Sequence, residues 1–178
     1  MERELMTSSE CHSTNPLVVV ALGSNLGDSP RIISDAIVKL RAFSDSPILA
    51  SSVWQTSPVD CPPDSPVFLN AVVGFMARAN ETPESLLKKL QDLEREFGRK
   101  PKTVMNEPRP LDLDLIVFGG QVRRTEGLAL PHPRAHLRKF VLCPLNEIAP
   151  ELVIPGQGNA VVQLLAELRS DEKIERLA

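Results

Sequence analysis

Hydrophobic positions along this chain fall into short strand-like runs separated by helical stripes. Leu17-Val-Val-Val-Ala-Leu22 is a continuous apolar run, β-branched at its centre and closed by Gly23, as expected of a strand buried on both faces. Ser29 followed by Pro30 supplies a capping residue and a proline at the first helical position. Ile33, Ala36, Ile37, Leu40 and Phe43 then recur at helical spacing. Ile48 to Thr56 is rich in β-forming residues and holds the only tryptophan, Trp54, whereas Ser57 to Pro66 contains four prolines and reads as a loop. Phe68 to Arg78 is a strand with Phe68, Asn70 and Val72 on one face and Leu69, Ala71 and Val73 on the other. Thr82-Pro83 opens a second helix whose stripe is Leu86, Leu87, Leu90, Leu93 and Phe97, and Gly98 ends it. After a charged, proline-rich loop from Arg99 to Pro110, Leu111 to Phe118 alternates strictly, with Leu111, Leu113, Leu115 and Val117 expected on the buried face. A Pro-His loop, a short helix near His136 to Leu142 and a last helix from about Ala160 to Leu168 complete the pattern.

The order β-α-β-β-α-β predicts an α+β, ferredoxin-like fold: an antiparallel sheet with helices on one face, plus C-terminal additions. Residues 1–16 read as a flexible N-terminal tail and 17–178 as a single domain, with no linker inside it. The composition changes this picture little. With 42% hydrophobic residues, 24% charged residues and a net charge of −3, the chain is ordinary globular material without the excess basicity of a nucleic-acid binder. No apolar run approaches the ~20 residues of a membrane span. Three cysteines, Cys11, Cys61 and Cys143, form no C-x-x-C pair. The expectation is a cytoplasmic monomer acting on small molecules, with no nucleic acid and no membrane as partner.

The chemistry concentrates in Pro108-Arg-Pro-Leu-Asp-Leu-Asp114. Residues two apart in a strand share a face, so Asp112 and Asp114 project side by side and repel unless a cation lies between them. Magnesium suits that role. Arg99, Lys100, Lys102 and Arg109 precede the pair, and Arg123, Arg124, Arg134, Arg138 and Lys139 follow. Carboxylates that hold magnesium amid arginines are equipped to grip a polyphosphate. Gly23-Ser24-Asn25 at the end of the first strand is either a tight turn or a binding loop, since it matches no phosphate-loop signature. His132 and His136 have a spacing that could chelate zinc on a helix, but Pro131 and Pro133 disfavour that helix, and His132 is better read as a donor to phosphate. Phe68 and Asn70 could offer an aromatic surface with an amide beside it, or simply a core residue and a polar strand edge.

Taken together, Val20-Ala-Leu-Gly-Ser-Asn-Leu26, Phe68-Leu-Asn70, Leu93-Glu94 with Gly98-Arg99, Pro108 to Asp114, Leu130-Pro-His-Pro133 and Arg138-Lys-Phe-Val-Leu-Cys-Pro-Leu145 closely resemble the 6-hydroxymethyl-7,8-dihydropterin pyrophosphokinases of folate biosynthesis. The resemblance runs in order from about Leu17 to Ile154. It implies transfer of diphosphate from ATP to the hydroxymethyl oxygen of the dihydropterin, with release of AMP. It also implies Mg²⁺, as two ions, on Asp112 and Asp114, and ATP as co-substrate. By the same resemblance, Arg99, Arg109, Asp112 and Asp114 are the catalytic set. Gln91, Glu94, Arg109, Leu115, His132 and Arg138 bind ATP, and Thr56, Val59, Phe68, Asn70 and Phe140 bind the pterin, the two phenylalanines sandwiching its ring.

Five positions depart from the best-known bacterial pattern. Asn106 stands where a loop tryptophan often closes over the substrates, Pro101 and Gly127 where arginines often reach the nucleotide, Pro133 for a frequent tyrosine and Ser57 for a frequent proline. The residues by themselves leave two other readings open: a different magnesium-dependent phosphoryl or nucleotidyl transferase, and a non-catalytic ferredoxin-like binding module.

Overall fold

A computed structural model describes residues 15–57, 66–100 and 107–177. Most of the N-terminal tail, together with Val59, Pro101 and Asn106, lies outside the described residues.

Strand β1 (Leu17–Ser24) is central, because its apolar run leaves no polar face to turn to water. It pairs antiparallel with β4 (Phe68–Met76) on one side and β5 (Asp112–Phe118) on the other. β4 carries the short strands β2 (Leu49–Ala50) and β3 (Trp54–Thr56) on its far side. The segment read as one β-rich run is therefore two strands joined by Ser51–Val53. A C-terminal strand, β8 (Ile174–Arg176), adds to β3, so that the path across the sheet is β5-β1-β4-β3-β8.

Helix α1 (Ser29–Leu40) begins one residue earlier than its sequence suggests. Asp28, not Ser29, is the N-cap, its carboxylate accepting from the Arg31 N–H at 3.3 Å, while Ser29 is bonded to Ser24 instead. Helix α2 (Pro83–Glu96) follows its sequence signals closely: Thr82 caps it, Pro83 opens it, and Gly98 at φ +88° ends it. Both helices lie on one face of the sheet, where Ile33, Ala36, Leu40, Leu86, Leu90 and Leu93 pack against Val18, Val20, Leu22, Leu113 and Leu115.

The C-terminal additions cover part of the opposite face. After a small hairpin, β6 (Arg123–Thr125) and β7 (Leu128–Leu130), and one 3-10 turn at Ala135–Leu137, helix α3 (Lys139–Ile148) packs Val141, Leu142 and Leu145 onto Val19, Ala21 and Val72. The helix expected from about residue 136 thus starts later and runs longer. Helix α4 (Val161–Glu167) seals its outer side.

One correction concerns β5. Its pairing with β1 shifts between Val19 and Val20, with Val20 opposite Leu115 and Val19 opposite Val117, so Ile116 is an inserted bulge residue. Strict alternation ends there. Leu111, Leu113 and Leu115 face the α1–α2 core as expected, but Val117 turns to the α3 face and Phe118 takes its place inside.

Candidate active site

The uncovered part of the α3 face is a row of residues directly opposite one another on three strands. Asp112 on β5 pairs with Gly23 on β1, and Gly23 pairs with Asn70 on β4. Gly23 has no side chain to fill the middle of that row. A Cβ there would lie 3.5 Å from Asn70 Oδ1, 3.8 Å from Asp112 Cβ and 4.0 Å from Phe68 Cδ1. In the next row Ala21, also small, stands between Asp114 and Val72. The two carboxylates and the aromatic–amide pair thus flank a floor of minimal side chains, a function of Gly23 that its turn-like sequence context concealed.

On the carboxylate side, Asp112 accepts from Arg99 Nη1 at 2.6 Å and lies 3.2 Å from Arg109 Nη2. Arg99 also pairs with Glu94. Burial alone would loosen the Arg99 proton, but Asp112 and Glu94 outweigh it and hold the guanidinium charged. Arg138 Nη1 is 3.8 Å from Asp114 Oδ2. Burial, followed by the charge of Asp112, raises the Asp114 carboxyl above its ordinary range.

Strand β5 is held from outside as well. It is an edge strand, so half of its main-chain groups face away from the sheet. The Leu113 N–H, between the two aspartates, donates to Glu94 Oε1 on α2 at 2.7 Å. Burial lifts the Glu94 carboxyl to about 7 even though this N–H and Arg99 favour its charged form. Farther along, the His132 N–H donates to the Ile116 carbonyl at 2.9 Å. His132 Nδ1 accepts from the Arg134 N–H at 3.3 Å, which leaves the ring proton on Nε2. Burial, reinforced by Arg138 and Arg134, pushes the His132 pKa down and favours the neutral ring.

On the other side, Asn70 is 4% exposed and its amide donates to Thr56 Oγ1 at 2.8 Å. Phe68 is half-buried opposite Thr56. Phe140, in the first turn of α3, carries the Arg138 guanidinium 5.2 Å from its ring centroid. The candidate residues at 56, 68, 70, 99, 109, 112 and 114 are linked to this face by direct contact or register. Those at 132, 138 and 140 approach it from the C-terminal segment. Gln91 is exposed on α2, and the Leu115 side chain is 5% exposed in the opposite core, so only its main chain faces outward. Among the departing positions, Pro133 is exposed, Gly127 (φ +88°) forms the β6–β7 turn, and the Ser57 N–H donates to the Lys173 carbonyl at 3.2 Å.

The donor set suits a hard cation. No group of three or more His, Cys, Asp or Glu side chains is gathered for a metal among the described residues. Magnesium asks for less. It uses one or two carboxylates and completes its octahedron with water and substrate phosphate, which Asp112 and Asp114 fit.

Residues 19–150 match the family described as 7,8-dihydro-6-hydroxymethylpterin-pyrophosphokinase (HPPK). The chain belongs to this family. Among HPPK relatives, the 2-amino-4-hydroxy-6-hydroxymethyldihydropteridine pyrophosphokinase of Pseudomonas aeruginosa is 38% identical over 160 residues, covering 90% of this chain and 96% of that protein. The enzyme of the same name from Haemophilus influenzae is 33% identical, covering 89% and 96%. The folic acid synthesis protein fol1 of Pneumocystis carinii is 36% identical over 90% of the chain, but the chain spans only 21% of its length. A crystal structure of an HPPK-DHPS protein in complex with substrates shares the fold at a TM-score of 0.68 and 13% identity, over 86% of this chain and 43% of that one. The ferredoxin-like HPPK fold is thus borne out, and with it the enzyme class, an ATP-dependent diphosphotransferase of folate biosynthesis. No helix among the described residues is long and apolar enough to cross a membrane.

Proposed function

We propose that this chain transfers the diphosphoryl group of ATP to the hydroxymethyl oxygen of 6-hydroxymethyl-7,8-dihydropterin and releases AMP. The carrying observation is the row Asp112–Gly23–Asn70. Adjacent strands lie about 4.8 Å apart, so carboxylates for the phosphates and an amide for the heterocycle are separated by about 10 Å, with only Gly23 between them. That arrangement holds two substrates end to end, as an in-line transfer requires.

On this reading Asp112 and Asp114 hold magnesium, as two ions, and the metal neutralises charge on the phosphate oxygens when bound. Arg99 and Arg109 already hold Asp112, and their guanidinium forks donate to phosphate oxygens as readily as to carboxylate. Arg138 and the Nε2–H of His132 donate to the polyphosphate. Gln91 and Glu94 serve the nucleotide from α2, and Leu115 does so through its outward main chain. Phe68 and Phe140 stack on the pterin, with Thr56 orienting Asn70 toward the ring's polar edge. Val59 joins them by resemblance alone. No strong base is assigned, because positioning and charge neutralisation carry most of phosphoryl transfer. Residues 17–178 act as one domain, and the protein works as a cytoplasmic monomer.

The deciding assay supplies ATP, magnesium and the hydroxymethyl dihydropterin and measures AMP. AMP formed only when the pterin is present supports the proposal. ATP consumption without AMP, or AMP formed equally without pterin, would point to another transferase. No magnesium-dependent turnover at all would leave only a binding module.

A further inference from the structure

Asn25, immediately beyond β1, is 4% exposed, and none of the assignments above uses it. It is bound to Arg109 twice. Its own N–H donates to the Arg109 carbonyl at 3.2 Å, and its Oδ1 accepts from the Arg109 N–H at 2.9 Å. The second contact fixes which way the amide faces. The Nδ2 group, pointing the other way, is buried and has no hydrogen-bond partner, and neither has Arg109 Nε.

A buried donor left unpaired costs roughly 1–3 kcal/mol, so folded proteins rarely keep one without a use for it. Here there are two, on residues tied to each other, beside the row that holds Asp112. One belongs to a guanidinium and asks for an anion. The other is a neutral amide with two N–H groups and suits an oxygen of the same group. Arg109 is itself anchored to Asp112 at 3.2 Å, so these donors border the carboxylate pair and not the aromatic side of the floor.

We infer that Asn25 is a further substrate-binding residue, its Nδ2 donating to a phosphoryl oxygen of ATP beyond the α-phosphate, next to Arg109 Nε. Asn25 thereby does two things: its Oδ1 sets the main chain of Arg109, and its amide nitrogen joins Arg109 in holding the group to be transferred. This rests on the pyrophosphokinase reading of the same site.

Two variants separate the two tasks. Asn25→Asp keeps an oxygen for the Arg109 N–H but removes the donor, whereas Asn25→Leu removes both. ATP and AMP binding with magnesium are measured by calorimetry, with AMP-forming turnover and thermal melting alongside. We expect Asn25→Asp to melt near the unmodified protein, to bind AMP normally, and to lose about 10- to 100-fold in turnover or ATP affinity, in the range for losing one hydrogen bond to a charged group. Asn25→Leu should lose at least as much. Unchanged ATP affinity and turnover in Asn25→Asp would overturn the inference and leave only the structural contact to Arg109. A loss confined to pterin affinity, or equal losses for ATP and AMP, would overturn it too. The unmodified protein run in parallel keeps the readings distinct. If it forms no AMP, the pyrophosphokinase reading fails, while a selective loss of ATP over AMP affinity still reports on Asn25.

Discussion

The two faces of the central sheet are built on opposite principles. The α1–α2 face is closed: alternate residues of β1, β4 and β5 meet two amphipathic helices in a continuous apolar core, and its largest side chains are fully buried. The α3 face is covered only in part. Val19, Val72, Ile116 and Val117 lie under α3, and beyond them the same strands present Gly23, Asn70, Asp112 and Asp114. One face secures the fold by excluding water. The other gives up such packing for a row of groups that need ligands.

Substitutions should therefore separate cleanly by face. The largest effect on stability belongs to the closed face. Leu90→Ala, at a fully buried position, should cost about 2–5 kcal/mol of stability. The measurement is chemical denaturation, with ligand affinities of the folded fraction unchanged. On the open face Asp114→Asn should lower turnover at least ~100-fold, or about 2.7 kcal/mol in barrier. Its melting temperature should stay level or rise, because burial and Asp112 already disfavour the charged carboxylate. A variant that unfolds instead would blur the contrast.

Glu94 joins the two faces, since its buried carboxyl on α2 grips β5 between the aspartates. Its folded pKa of about 7 stands above the ordinary value of 4.5, so its contribution to stability is full below about pH 4.5 and is lost as pH rises through 7. Glu94→Gln should remove a stability decline on the order of 1–3 kcal/mol across that window. Denaturation at pH 4.5 and pH 7.5 checks the difference between the two proteins. Phe68→Ala should weaken pterin binding by about 1–3 kcal/mol and leave ATP binding intact, as calorimetry would show. If Phe68 merely packs, melting falls and pterin affinity holds. Smallest of all, Lys39→Ala breaks an exposed pair with Glu96 and should change stability by less than about 1 kcal/mol.

How much of this was legible in the sequence varied with distance along the chain. The β1 run, the Thr82-Pro83 helix start and the shared face of Asp112 and Asp114 are local patterns, and the structure reproduces them. The bulge at Ile116 carries no glycine or proline to mark it, and the run Leu115 to Phe118 is apolar on either phase. Only its pairing with β1 reveals that Val117 changes face. The Asp112–Gly23–Asn70 row was hidden for another reason: it depends on register among three strands that are far apart in the chain. Asn25 meets Arg109 across 84 positions, and no spacing rule reaches that far. The sequence marked this stretch only as either a tight turn or a binding loop after a strand, and named no partner for it.

The grip on β5 has a further consequence, for how the molecule behaves in company. An edge strand ending in Leu115-Ile-Val-Phe118 is the kind of segment that recruits a second copy and seeds aggregates. Here the outward Leu113 N–H is occupied by Glu94 and the outward Ile116 carbonyl by His132. The same two contacts that hold the strand from outside also deny it to a neighbour. Damage to this corner would thus show itself first as a less soluble protein, before any assay of its chemistry was run.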